Sequence, residues 1–236
     1  MIKVYNRQTQ SIEIENTYKQ DSLHFLYKTE LGRALSSSVF NKHLISKLYG
    51  RVVKSRQSIS LIQKFIKHYD IDVSEIKYPI ESFKCFNDFF IRELNDNARP
   101  IDRNTEHLIS PADSRLCIFD LAQKNDLPVK GYWYSLDTLI KDKKLAKEYA
   151  DGWCFIYRLA PADYHRYCYI DNGYQDKVKR LRGVLHSVNP IAISVVKNLL
   201  SRNYRELTVL HTENFGKVLH LEVGALLVGK IVQRNA

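Results

Sequence analysis

The sequence predicts an α+β layout, a helical N-terminal part on a β-rich C-terminal part, and three observations predict it. Apolar residues recur at helical spacing from about Asp21 to Leu94. Arg99-Pro100 then breaks the helical pattern. From about Leu108 onward, short strand-like runs separated by turn residues dominate. With 236 residues and 44% hydrophobic side chains, the chain can build a true core.

Residues 2–15 read as two short strands around a polar turn at Asn6 to Thr9, because IKVY and SIEIE alternate with period two. In VFNKHLISKLYGRVVK, Phe40, Leu44, Leu48 and Val52 recur every four residues with Ile45, Tyr49 and Val53 alongside, the pattern of an amphipathic helix. SISLIQKFIKHYD repeats it, with Ile59, Ile62, Phe65, Ile66 and Tyr69 on one stripe and Lys64, Lys67 and His68 off it. FNDFFIREL, 86–94, reads as a third helix capped by Asn87 or Asp88. Strands are expected in RLCIFD, WCFIYRL, RYCYI, VKRLRGVLHSV, LTVLHT and KVLHLEVGALLVGKIV, with turns at Asp171-Asn172-Gly173 and Asn214-Phe215-Gly216. Helices interrupt them around YSLDTLIKDKKLAKEYA and PIAISVVKNLLSRN. No internal repeat or low-complexity tract is present, so the division falls at 1–100 and 101–236.

A net charge of +10 favours a polyanionic partner, either nucleic acid or an anionic membrane face. No helix-turn-helix signature, zinc spacing or RNP motif supports nucleic acid. His43, Lys47, Arg51 and Lys54 form a basic stripe beside the apolar one, as in a helix lying in a lipid interface; a surface helix packed on its own domain gives the same pattern. Cys85, Cys117, Cys154 and Cys168 have neither CxxC spacing nor scaffold density and read as reduced thiols of a cytosolic protein. The N-terminus lacks the apolar segment of a secretory signal and no window has transmembrane length, so membrane contact is expected to be peripheral.

LAPADYHRYC, 159–168, packs an aspartate, a histidine, an arginine and a cysteine between two aromatics. It falls in order with FNDFFIREL at 86–94, RPID at 99–102, SPADS at 110–114, KGYWYSLDTLI at 130–140, SVNPIA at 187–192 and HTENFGKVLHLEVGALLVGKI at 211–231. Together these blocks resemble the phosphatidylserine decarboxylases, pyruvoyl enzymes that make phosphatidylethanolamine, over most of 83–232.

The resemblance implies membrane-facing helices beside a β-sandwich or barrel-like domain, and it favours the lipid reading of the basic helices, on the cytoplasmic face of the cell membrane. Members of the family are made as proenzymes that cut themselves before a serine, which becomes an N-terminal pyruvoyl group on a small α subunit. Its carbonyl forms a Schiff base with the substrate amine and absorbs the electrons left by decarboxylation. The resemblance leaves a homodimer open.

Self-cleavage requires a serine hydroxyl activated by a histidine that an aspartate orients. The family's aspartate matches Asp113, which in isolation reads as a turn residue after Ser110-Pro111. Its DYHRxH block matches His165 at the first histidine, but the second position holds Cys168, whose thiol cannot replace imidazole as a base. Either His165 is the base or His186 in GVLHSVNP compensates; in isolation His186 reads as a half-buried strand histidine. His165 can instead serve decarboxylation as a proton donor, and Arg166 reads equally as a partner for the substrate's anionic groups or as a solvated surface residue. His211 and His220 are given structural roles. The Gly-Ser-Thr block that would supply the pyruvoyl serine is expected beyond Ala236, so this chain corresponds to the large β subunit and should not decarboxylate alone; the other reading is a non-catalytic membrane-binding remnant.

Overall fold

The computed structural model describes residues 3–7, 9–14, 29, 43–123, 126–129, 132–226 and 228–233. The expected helical start at 21–42, including Phe40, lies outside the described residues apart from residue 29.

β1 (Lys3–Asn6) and β2 (Ser11–Ile14) pair antiparallel, Lys3 opposite Ile14 and Asn6 opposite Ser11. Glu13 closes the turn by accepting from Asn6 Nδ2 and Thr9 Oγ1, both at 2.8 Å.

The helical part follows as α1 (His43–Val53), a 3-10 turn over 56–59 and α2 (Ser60–Tyr69). α2 buries Ile62 and ends on Asp70 in the left-handed region, φ 50°. α3 is shorter than expected, Phe86–Phe90 rather than 86–94. Nor do Asn87 and Asp88 cap it: Cys85 holds the capping position, and the free N–H of Phe86 donates to the Ser58 hydroxyl at 2.9 Å. After Phe90 the backbone bonds elsewhere, with Lys77 N donating to Glu93 O at 3.0 Å and Asn95 N to Glu75 O at 2.8 Å. Ile62, Ile76 and Phe89 form the centre of this part, walled by Phe65, Phe83 and Phe86 in edge and tilted ring contacts.

The C-terminal part contains β3 (Arg115–Asp120), β4 (Asp126–Val129), β5 (Tyr132–Ser135), α4 (Leu136–Ile140), α5 (Lys143–Glu148), β6 (Trp153–Arg158), β7 (Gly173–Gln175), β8 (Lys179–Leu181), α6 (Pro190–Val195), α7 (Leu199–Arg202), β9 (Arg205–Thr212) and β10 (Gly216–Val223). The two expected helices are each split, at Lys141 and at Asn198, both left-handed. β9 carries β10 along one edge and β7 and β8 in tandem along the other; β3 with β6 and β4 with β5 form separate pairs. The described residues therefore make an α+β fold of small sheets with no closed barrel. RYCYI forms no strand, because the Cys168 N–H is committed to the carbonyl of Pro111.

The larger core gathers Leu121, Leu127, Tyr134, Leu139, Ile140 and Leu207. Beside it Arg205 is fully buried, its guanidinium donating to the carbonyls of Leu139 and Leu200 at 2.9 Å and Asn203 at 2.6 Å. Asn203, also fully buried, accepts from His186 N at 3.0 Å and donates to the carbonyls of His186 and Gly224 at 2.9 Å. Gly183 passes so close to the end of α7 that a Cβ there would lie 2.4 Å from the Arg202 carbonyl oxygen. Asn203→Ala strands the His186 N–H and the Gly224 carbonyl and takes one of two donors from the His186 carbonyl, and we expect it to cost about 3 kcal/mol, measured as a lower urea midpoint at unchanged slope.

Candidate active site

Strand register gathers the site. β3 and β6 run antiparallel with Arg115 opposite Arg158, so the turn that precedes β3, 111–114, lies beside the turn that follows β6, 159–168. Cys168 N donates to Pro111 O at 2.9 Å and fastens one to the other. Arg115 Nη1 reaches both carboxylate oxygens of Asp163, at 2.5 and 2.6 Å, and Asp163 also accepts from the Ala160 N–H at 2.6 Å. Asp163 thus caps its own turn and ties it to the first residue of β3.

Asp113 is held from the helical side. Arg99 Nε lies 2.9 Å from each of its oxygens, Nη2 lies 2.8 Å from Oδ2, and Nη1 donates to Glu75 at 2.9 Å. The bonds to Asp113 and then Glu75 raise the Arg99 pKa further above its already high value. Asp113 is therefore bound by an arginine, and among the described residues no histidine bonds to it. Glu75, Arg99, Asp113, Ser114, Arg115 and Asp163 line one open, polar cleft of about 690 Å³.

His165 lies two residues past Asp163 and stacks on Phe90, ring centroids 4.0 Å apart. Its Nε2 is buried without a hydrogen-bond partner. Burial drives its pKa down to about 4; Asp163 and backbone bonding to Pro161 and Ala160 offset this in part, while Arg92 adds to the fall. The ring is neutral at physiological pH and Nε2 is its free nitrogen.

His186 sits elsewhere in the hydrogen-bond network. It is 4% exposed, its backbone bonds to Asn203 and Leu226, and its Nε2 is also buried and unpartnered. Burial, then Arg202, lowers its pKa. Among the described residues no hydrogen bond or ion pair links it to Asp113 or His165. It lies in the irregular stretch after β8 rather than on a strand.

Cys168 stays a thiol, since burial raises its pKa. Arg166 is half-exposed and its guanidinium is engaged within the chain: Nε donates to Ile91 O at 2.9 Å and Nη2 pairs with Glu93 at 3.1 Å. His211 stacks on Tyr174 and pairs with Asp176, while His220 packs edge-on against Tyr167.

Sequence reasoning missed Arg99, Glu75, Arg115 and Asp163. The signal for Arg99 was present in the RPID block, where it stood out only as the residue before a helix-breaking proline.

The profile of the phosphatidylserine decarboxylase family matches residues 86–236. The chain is 43% identical to a phosphatidylserine decarboxylase proenzyme of Clostridium kluyveri, over 99% of this chain and 79% of that protein. It is 42% identical to the proenzyme of Clostridium perfringens, over 99% of this chain and 80% of that protein. Set on this site, the likeness defines a carboxy-lyase. The chain belongs to the phosphatidylserine decarboxylase family.

The depressed pKa of His165 fixes a pH dependence. Between pH 6.5 and about 4 the unfolded chain binds a proton that the buried ring refuses, so this contribution removes stability as pH falls and is constant above that window. His165→Gln should abolish it: the difference in urea midpoint between the two proteins shifts on acidification through the window and stays flat from pH 7 to 8.

Proposed function

We propose that the chain is the large-subunit part of an enzyme that decarboxylates phosphatidylserine to phosphatidylethanolamine with a pyruvoyl group formed from a serine beyond Ala236. The observation that carries this is the β3–β6 register, which sets the Asp113 turn against the turn bearing a neutral His165 with an unpartnered Nε2. The proenzyme naming of the relatives accords with self-processing.

The residues present suit such a group. Gln233 donates to Glu222 at 2.7 Å, and Glu222 bonds to Tyr167, two residues from His165, so Gln233 is tied to the turn that bears His165. When bound, the pyruvoyl carbonyl supplies an electron sink. His165 Nε2 accepts the serine proton during self-cleavage, its neutral state making it competent at physiological pH. Arg99 holds the Asp113 carboxylate fixed in the cleft. Arg115 and Asp163 set the turn that presents His165.

A second reading of the base has its own support, because the Leu226 N–H bonds to the carbonyl of His186, placing the segment after β10 against that residue. Intact-mass analysis of the complete proenzyme separates the two. His165→Gln should slow self-cleavage by about 10²-fold or more, with His186→Gln within a few-fold of wild type. The reverse pattern assigns the base to His186.

The proposal extends to the surface. The outer face of β3 and β6 leaves Leu116, Ile118 and Trp153 between 47% and 64% exposed, an apolar area suited to the small subunit. On α1, Leu48, Tyr49 and Val52 are exposed beside exposed Lys47, Arg51 and Lys54, as suits peripheral contact with an anionic bilayer on the cytoplasmic face of the membrane. Among the described residues no helix is long and apolar enough to cross a membrane. Leu48→Glu with Val52→Glu should abolish flotation with phosphatidylserine vesicles without lowering the Tm.

A further inference from the structure

Four consecutive residues at the end of α3 touch the turn that carries His165. Phe90 stacks on the His165 ring at 4.0 Å. The carbonyl of Ile91 accepts from Arg166 Nε at 2.9 Å. Arg92 Nη2 donates to the carbonyl of Ala162 at 3.3 Å, and Glu93 pairs with Arg166 at 3.1 Å. This joint accounts for the early end of α3, whose following residues are engaged with 162–166 and with 75–77 instead of continuing the helix.

Arg92 is the unusual member. It is 5% exposed, yet its Nε and Nη1 are buried without a hydrogen-bond partner, and its guanidinium lies 5.1 Å from the centre of the Phe89 ring. The ring face compensates only part of the cost of removing a guanidinium from water. A joint that served packing alone would be better filled by a methionine or leucine. What a fixed cation adds at this place is its charge beside an imidazole.

We propose that Phe90 and Arg92 are positioning residues for the reaction, Phe90 fixing the plane of the His165 ring and Arg92 holding a permanent positive charge beside it. The inference rests on the reading of His165 as the working base. The charged and titratable groups around the pair are Asp163 on the turn, Tyr164 and Arg166 on either side of His165, Glu93 paired with Arg166, and Glu75, Arg99 and Asp113 across the cleft. Of the charges acting on the ring, Asp163 favours its protonated form and Arg92 opposes it. Burial is the larger cause of the free Nε2, and Arg92 adds to it against the nearby carboxylate. The helical part thereby contributes to the state of a group that lies in the β-rich part.

The test is an NMR titration of the His165 ring in the complete, detergent-solubilised proenzyme, with Phe90→Leu, Arg92→Gln and, as a packing control, Ile62→Ala. Ile62 is buried in the same aromatic cluster and lies away from the turn. Phe90→Leu and Arg92→Gln should each raise the His165 midpoint from about 4 by roughly one unit or more toward its usual value, and shift the acid limb of the self-cleavage profile by the same amount. Ile62→Ala should lower the Tm and leave the midpoint in place. A midpoint unmoved by both substitutions, or moved equally by Ile62→Ala, overturns the proposal. Because the titration needs no turnover, its failure is distinguishable from a failure of the proposed reaction.

Discussion

The site depends on one antiparallel pairing of six residues with six. Because Arg115 faces Arg158 across β3 and β6, the two turns at that end of the ribbon meet, and Arg115 reaches Asp163. A slip of one residue would turn Arg115 to the opposite face and separate it from Asp163. The Pro111–Cys168 bond and the Asp113–Arg99 pair follow from the same register, since both need the 111–114 turn where that register puts it. Order in the site is thus specified by backbone pairing first and by charge second.

Burial determines the chemistry that remains possible there. Imidazole loses affinity for a proton when taken from water and a thiol gains it, so the same enclosure leaves His165 a free base and Cys168 an inert thiol. Cys168 therefore supplies the site with neither a base nor a nucleophile. What Cys168 contributes is its backbone N–H, which any residue other than proline could supply.

Much of the fold was legible because it rests on local pattern. Period-two alternation located β1 and β2, strand-like runs between turn residues located β9 and β10, and period 3.6 located α2. The misreadings occurred where distant contacts override local preference. FNDFFIREL has a helical pattern to Leu94, but Glu93 and Asn95 bond to the strand-like stretch around Glu75 and Lys77, which a window of sequence cannot show. RYCYI has strand composition, yet its central amide is taken by Pro111. Asp113 and His165 were visible through their blocks, whereas Arg99 and Glu75 became part of the site only through a separation of 24 residues closed by a single ion pair. The role of Arg166 was open in the sequence for the same reason: its backbone partner, Ile91, lies 75 residues away.

The Arg99 fork joins Glu75, in the helical part, to Asp113, in the β-rich part. A shortened protein beginning after Pro100, the obvious choice for a soluble crystallisation target, would lose the counter-ion of Asp113 and the ring beneath His165 together. The helical part cannot be shed as a detachable tether, because its far end is masonry of the floor on which Asp113 and His165 sit.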